Sequence, residues 1–295
     1  MMHRRSSSSR TRFVGSLIWA LLPFLLFHTV PRAEAAEPAP AATSAFNAYI
    51  AKVEARLAQQ HRSQNGFVAP PSEGQSDARL RQGELMVEQL TPSTSADLPG
   101  AMLHHWQGTA FVDGAKAADF ERLMKDFTAY PQHYSPQVIQ AKTLSQQGDR
   151  FQASMRVRQK HVITVVMDTV YDITFGRLDA QHGCSTSRST RISEIGSPGS
   201  PDERALAPNE EHGFLWRLNT YWSYEERDGG LYMQIESVSL RISCRWYPVR
   251  NGAQLFMSFT KSQIFSGGRA IVVVQTTSGI VSPTHPSGEP RPGRR

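Results

Sequence analysis

Phe214-Leu215-Trp216-Arg217-Leu218-Asn219-Thr220-Tyr221-Trp222-Ser223-Tyr224 is an aromatic stretch with a period of two. Its even positions give Phe214, Trp216, Leu218, Thr220, Trp222 and Tyr224, while the odd positions are mostly polar. Side chains alternate across a strand, so the pattern predicts a half-buried strand whose inner face carries large aromatic rings. On this reading Trp216 and Trp222 share one face, and Arg217 and Tyr221 point away from it. Such a face has to be covered by a helix, a second sheet or a ligand.

The flanking sequence continues in strands. Leu231 to Leu240 follows through an Asp228-Gly229-Gly230 turn and is expected to pair with the aromatic strand. Upstream, Phe151, Ala153, Met155 and Val157 alternate with charged and polar residues. In the next run Ile163, Val165, Met167, Thr169, Tyr171, Ile173 and Phe175 share one face, with Asp168 and Asp172 turned to solvent. Val138 to Leu144 reads as a strand ahead of the Gly148-Asp149 turn, Arg177 to Ile195 as a polar strand pair or hairpin, and Gly196 to Pro208 as a loop. Leu103 to Val112 is a strand ending at Asp113-Gly114. Ala115 to Phe127 then forms a helix with Phe120, Leu123, Met124 and Phe127 on one stripe. Antiparallel strands with a helix inserted after the first core strand give an α+β fold built on a curved antiparallel sheet.

Ahead of this core, residues 36–100 read as an Ala/Pro linker, an amphipathic helix and a turn-rich lead-in. Ser44 caps the helix, in which Phe46, Tyr49, Ile50, Val53 and Leu57 recur at helical spacing. It should run to His61 or Arg62 and lie against the body of the domain. Glu84 to Leu90 reads as a short strand, and Thr91 to Gly100 is rich in turn residues.

The first 35 residues read as a leader. Arg4, Arg5, Arg10 and Arg12 form a positive region, Phe13 to Val30 an apolar one, and Ala33-Glu34-Ala35 a small-x-small cleavage box. The apolar run approaches the length of an uncleaved anchor. Pro23, His28 and the box favour cleavage near Ala35, hence a periplasmic or secreted protein with no membrane span after cleavage.

The chain carries 32 Lys+Arg against 26 Asp+Glu, a formal net charge of +6. The excess belongs to the ends: from residue 241 on, one acidic residue stands against eight basic ones. Residues 36–240 are acidic on balance and lack the electrostatic footprint of a nucleic-acid partner. Cys184 and Cys244 are the chain's two cysteines, so there is no disulfide framework. They form a single bridge in an oxidising compartment or pack as two small hydrophobes.

A resemblance adds to this reading. It rests on the order strand, helix, Asp126-Phe127-Thr128-Ala129-Tyr130-Pro131-Gln132-His133-Tyr134-Ser135-Pro136, Gly148-Asp149 and successive long strands. It also rests on His105-Trp106-Gln107-Gly108, Ser189-Thr190-Arg191-Ile192, and His212-Gly213-Phe214-Leu215-Trp216-Arg217-Leu218-Asn219 with Tyr221-Trp222. Over residues 80–240 the chain resembles the START-like, polyketide-cyclase-like (SRPBCC, helix-grip) superfamily, in particular an exported bacterial branch of it. The resemblance implies a helix-grip fold around a cavity. It implies no common catalytic residues, since members include lipid carriers, cyclases and hormone receptors.

The resemblance also implies a long C-terminal amphipathic helix soon after the last strand. The residues after Leu240 do not supply one. Gly252, Gly267-Gly268, the β-branched run Ile271 to Val274 and the Pro/Arg-rich end from Pro283 all disfavour helix. The expectation is a poorly ordered tail over 241–295 with no helix longer than about three turns, from a shifted reading frame or from divergence. The aromatic face would then be partly exposed.

Chemistry is sparse. His104, His105, His133, His161, His182 and His212 are scattered, and neighbours such as His104 and His105 point to opposite faces of a strand, so no metal is expected. His182 and Cys184 share a strand face but lack an orienting acid. No GxGxxG or Walker pattern is present, and no cofactor is expected. Phe214, Trp216, Trp222 and Tyr224 form either ordinary core or the wall of an apolar cavity, with Met155, Val157, Met167 and Tyr171 as the facing wall. Tyr171 and Tyr224 offer hydroxyls, and Met suits an irregular apolar shape. Arg191 and Arg217 are solvated surface residues or, if buried, carboxylate partners. The expected function is binding of a hydrophobic small molecule or lipid, because no acid–base pair stands out. A cyclase or dehydratase in the same cavity and a non-catalytic envelope protein are the alternatives.

Overall fold

A computed structural model describes residues 37–68, 76–91, 97–160 and 164–242, together with the backbone of strands 259–266 and 269–276. In chain order the elements begin with helices α1 (Pro40–Gln60) and α2 (Ser76–Arg81), and strands β1 (Met86–Gln89), β2 (Asp97–Leu98) and β3 (Ala101–Asp113). Helix α3 (Ala117–Lys125), a 3₁₀ turn over Phe127–Ala129 and the single-turn α4 (Tyr130–His133) follow. Then come β4 (Val138–Gln147), β5 (Arg150–Lys160), β6 (Thr164–Arg177), β7 (His182–Gly196), β8 (Arg204–Ala205), β9 (Arg217–Arg227) and β10 (Gly230–Ile242). Among the described residues, strands β11 (Phe259–Ser266) and β12 (Arg269–Thr276) pair only with each other.

The main sheet runs β1-β3-β10-β9-β7-β6-β5-β4, with β2 and β8 appended to β3 and β7. Every pairing is antiparallel, and the helices α3 and α4 sit between the first long strand and the rest. This is the expected α+β sheet. The β9–β10 hairpin closes with Asp228 and Gly229 both at positive φ, 56° and 82°. That two-residue turn matches the right-handed twist of its strands.

Both faces of the sheet are covered. On the concave face α3 lays Phe120 and Met124 over Ala110, Val112, Leu218, Tyr224, Leu231 and Met233. On the convex face α1 buries Phe46, Ile50, Val53 and Leu57 against Ala101, Leu103, Tyr221, Val238 and Leu240. The helix starts five residues earlier than a Ser44 cap would place it: Pro40 occupies its first turn, where the missing N–H costs nothing.

One charged group lies beneath α1. Glu236 is 1 % exposed on β10; Arg56 of α1 donates to it, and His105 Nε2 lies 2.9 Å from Oε2. Burial would raise this carboxyl, but the hydrogen bonds from His105 and Arg56 outweigh it and hold it below the usual range. On the far side of the ring, Tyr49 Oη lies 2.9 Å from His105 Nδ1. A buried carboxylate is tolerated only with such partners, so the pair fixes the seat of α1 on the sheet.

The aromatic strand departs from its expected geometry. The ladder begins at Arg217, and Trp216 precedes it, held by its backbone N–H to the Leu240 carbonyl at 2.8 Å. Gly213, at φ +69°, turns the chain just before. Alternation therefore does not reach Trp216. Its indole packs in the α1 cluster, whereas Trp222 and Tyr224 pack in the α3 cluster. The two tryptophans are on opposite faces, and Tyr221, expected to point away from the core, is 2 % exposed beneath α1. The aromatic face is covered, with Tyr224 1 % exposed and Trp222 partly buried.

Smaller differences follow from side-chain capping. The helix expected over 115–127 is Ala117–Lys125, after which Asp126 accepts the Ala129 N–H and opens the 3₁₀ turn. Residues 182–196 form one long strand, with Leu178 to Gln181 turning out of β6. Asp172 is exposed, whereas Asp168 is held in a bidentate pair with Arg156 at 2.7 and 2.9 Å. The leader, the Pro70-Pro71 loop, Cys244 and the tail segments 243–258 and 277–295 lie outside the described residues. Between those segments the tail forms the β11–β12 hairpin, which the sequence reading did not anticipate. No helix among the described residues is long and apolar enough to cross a membrane.

Candidate functional site

The concave face leaves a cavity of about 230 Å³ beside α3 and α4. Its floor is β-sheet: Ile173 and Phe175 of β6, Ser185 and Ser187 of β7, Thr220 and Trp222 of β9, Ile235 of β10 and Met155 of β5. Its roof comes from the segment after β3, with Met124, Phe127, Tyr130, Tyr134 and Val138. The lining is apolar apart from hydroxyls, which is the pattern of a pocket that selects shape and orients a ligand by few polar contacts. At this volume it falls below the ~300–1,000 Å³ typical of drug-sized sites. It takes a ring or the end of an acyl chain, and a longer molecule has to continue along the face.

The roof is braced aromatic on aromatic. Phe120 stands edge-on to Trp222 and Tyr224, with centroids 5.3 and 5.2 Å away. Phe127 contacts Tyr130 and Phe151, and Tyr130 meets Tyr134 at 5.0 Å. The Tyr130 hydroxyl donates to the Met124 carbonyl at 2.7 Å and is spent on the fold. Burial pushes both Tyr130 and Tyr134 well above the usual phenol range. Neither is a ready base.

Helix α3 is anchored by Glu121, which is 5 % exposed. It accepts from the Tyr224 hydroxyl at 2.8 Å, from Lys125 at 2.6 Å and from Arg177 at 2.7 Å. Burial alone would raise this carboxyl; the hydrogen bonds from Arg177, Lys125 and Tyr224 win and bring it to about 2. Tyr224 can cross the sheet because Gly183 lies opposite it: a Cβ there would come within 2.3 Å of the ring.

The residues proposed from sequence divide. Met155 and Trp222 line the cavity. Val157 packs against the same cluster; Met167, Tyr171 and Tyr224 are buried in the core next to the cavity without lining it. Phe214 lies in the loop before β9 with its ring 5.5 Å from His212, and Trp216 is on the other face. The sequence reading missed the aromatic roof, although Phe127, Tyr130 and Tyr134 stand within the motif that carried the resemblance, and it missed Ser185 and Ser187 of the polar strand β7.

Other candidate chemistry dissolves into structure. The sequence reading assigned His182 no orienting acid, but Asp179 lies 2.8 Å from its Nδ1; burial raises the Cys184 thiol away from the thiolate, which disfavours a nucleophile. Cys184 is free. His104 and His105 point to opposite faces, toward Arg241 and Glu236. Among the described residues no three His, Cys, Asp or Glu side chains are placed to share a metal. A larger cleft, about 730 Å³, lies at the start of α1 between Arg191, Arg217, Glu37 and Glu211. Charges of both signs line it, and Arg191 and Arg217 are exposed.

No protein-family model matches the chain, and no curated protein matches it. Among solved structures it is similar to a STAR-related lipid transfer protein of Xanthomonas axonopodis, at 15% identity and a TM-score of 0.36 over 56% of this chain and 89% of that one. It is similar to human STARD10, at 11% identity and 0.38 over 62% and 74%. It is also similar to the Zhui aromatase/cyclase of a Streptomyces species, at 12% identity and 0.33 over 48% and 70%. These are the groups that the sequence resemblance named. At such values the likenesses say nothing of ligand or chemistry.

Glu121 makes a pH-dependent contribution. Its carboxyl sits below its ordinary 4.5, so the stabilisation is present above that value and fades as pH falls toward about 2. Glu121→Gln should cost about 2 kcal/mol near neutral pH, with the gap to the native protein closing in acid. Urea titrations at several pH values measure this, and a gap independent of pH would contradict it.

Proposed function

We propose that the protein is an exported binding protein for a hydrophobic small molecule or lipid. The observation that carries this is the concave cavity, apolar on sheet and roof and edged only by hydroxyls. A cyclase or dehydratase would need a group able to exchange a proton at the reacting carbon. The titratable groups lining this cavity are Tyr130 and Tyr134, both pushed away from that role by burial. Binding therefore has the stronger support. Export rests on the leader, with its basic start, apolar run and Ala33-Glu34-Ala35 box.

Filling the cavity tests the reading. Ser187→Leu places an apolar side chain in it, and should weaken binding of an apolar fluorescent probe by about tenfold or more while leaving the melting temperature within a few degrees. Probe affinity unchanged in that variant would contradict the cavity as the site. For export, N-terminal sequencing of the protein recovered outside the cytoplasm should begin at Ala36 or Glu37. Intact Met1 in the membrane fraction would overturn this.

A further inference from the structure

We propose that the concave face carries a headgroup site at the end remote from α3, where Trp106 donates to an acceptor oxygen of an amphiphile whose apolar part fills the cavity. The proposal rests on reading that cavity as a ligand site. It follows from strand register. Ile235 and Thr220 line the cavity, and alternation carries the same face of β10 on through Ser237, Ser239 and Arg241. The partners on β3 are Trp106 opposite Ser237, His104 opposite Ser239 and Met102 opposite Arg241. From Ile235 to Arg241 the row extends ~20 Å at the rise of a strand.

This row changes character along its length. Beyond Ile235 its buried positions are a hydroxyl at Ser237, another at Ser239, the His104 imidazole and the Arg241 guanidinium, 6, 3, 8 and 7 % exposed. Arg241 donates through Nε to His104 Nε2 at 2.8 Å. Burial and the neighbouring Arg241 hold His104 at about 4, so the ring stays neutral near pH 7 and accepts that bond. No carboxylate occupies an inward position of β3 or β10 in this stretch among the described residues. The decisive group is the Trp106 indole: its Nε1 is buried and has no hydrogen-bond partner among the described residues. Indole nitrogen is a donor only, and buried donors are almost always paired. An orphan donor beside a row of polar side chains, in line with an apolar cavity too small for a whole lipid, is what an oxygen-headed amphiphile would complete.

The matching ligand has an acceptor oxygen on a straight apolar chain, as a carboxylate or a phosphate supplies. Displacement of the apolar fluorescent probe by dodecanoate, dodecyl phosphate and dodecane separates these sources. At least one oxygen-headed chain should compete about tenfold or more better than dodecane, the advantage expected from pairing a buried donor. Trp106→Phe keeps an aromatic ring and removes the N–H, and should abolish that preference while leaving probe and dodecane affinities in place. In the native protein the Trp106 indole N–H resonance should shift with the oxygen-headed chain and not with dodecane, a readout independent of the variant's folding. Equal competition by all three chains, or an indole resonance that never responds, would overturn the headgroup site while leaving the cavity reading intact. Failure of every chain and of the probe to bind would overturn both.

Discussion

Burial on both faces of the β3-β10-β9 ladder is the constraint on which the rest of the structure depends. A sheet covered on one side only would show apolar and polar residues in strict alternation. Here the odd positions of β3 and the even positions of β10 are also buried, and they include Glu236, Gln234 and Thr109 as well as Leu103, Val238 and Leu240. Helix α1 answers both demands. Its apolar stripe covers the aliphatic positions, each large side chain contributing ~1.5–3 kcal/mol of burial, and Arg56 with His105 neutralises Glu236. Further down the helix Glu54 accepts from Tyr221 at 3.0 Å and from Arg188 at 2.8 Å, and His61 pairs with Ser223 at 2.7 Å. Glu236, Tyr221 and Ser223 on that face thus meet polar partners from α1 and its C-cap, while Gln234 pairs with Thr109 within the sheet.

With the convex face committed to α1, the concave face is left for function. Helix α3 and the turn after it cover only part of it, held there by Glu121 and by the Phe120, Phe127 and Tyr130 contacts. The cavity arises where the roof bridges from α3 to β4 instead of settling onto the strands, because Ser185, Ser187 and Thr220 present small side chains beneath bulky aromatic ones. Small residues under a rigid aromatic roof leave space that close packing would otherwise remove.

Much of the fold could be read from residues alone. Period-two runs located β5 and β6, the Asp228-Gly229-Gly230 turn located β10 and Gly148-Asp149 the β4–β5 hairpin, and the 3.6 spacing of Phe46, Ile50, Val53 and Leu57 located α1. The site was less legible, for two reasons. Alternation holds only within a ladder, so Trp216, one residue outside β9, could not be assigned a face from Trp222. Partners far apart in sequence are invisible to local patterns: Asn219, Tyr221 and Ser223 read as a solvated face but are buried against α1. The aromatic roof belongs to the same class, since Phe127, Tyr130 and Tyr134 meet the sheet only after α3 has crossed it.

Native mass spectrometry of the protein purified from its own host, followed by extraction and analysis of what it carries, tests the central account most directly. The account predicts a stoichiometric adduct that is released by organic solvent and is an apolar molecule. Protein recovered only at its bare mass, with nothing extractable and no apolar probe taken up afterwards, would contradict it.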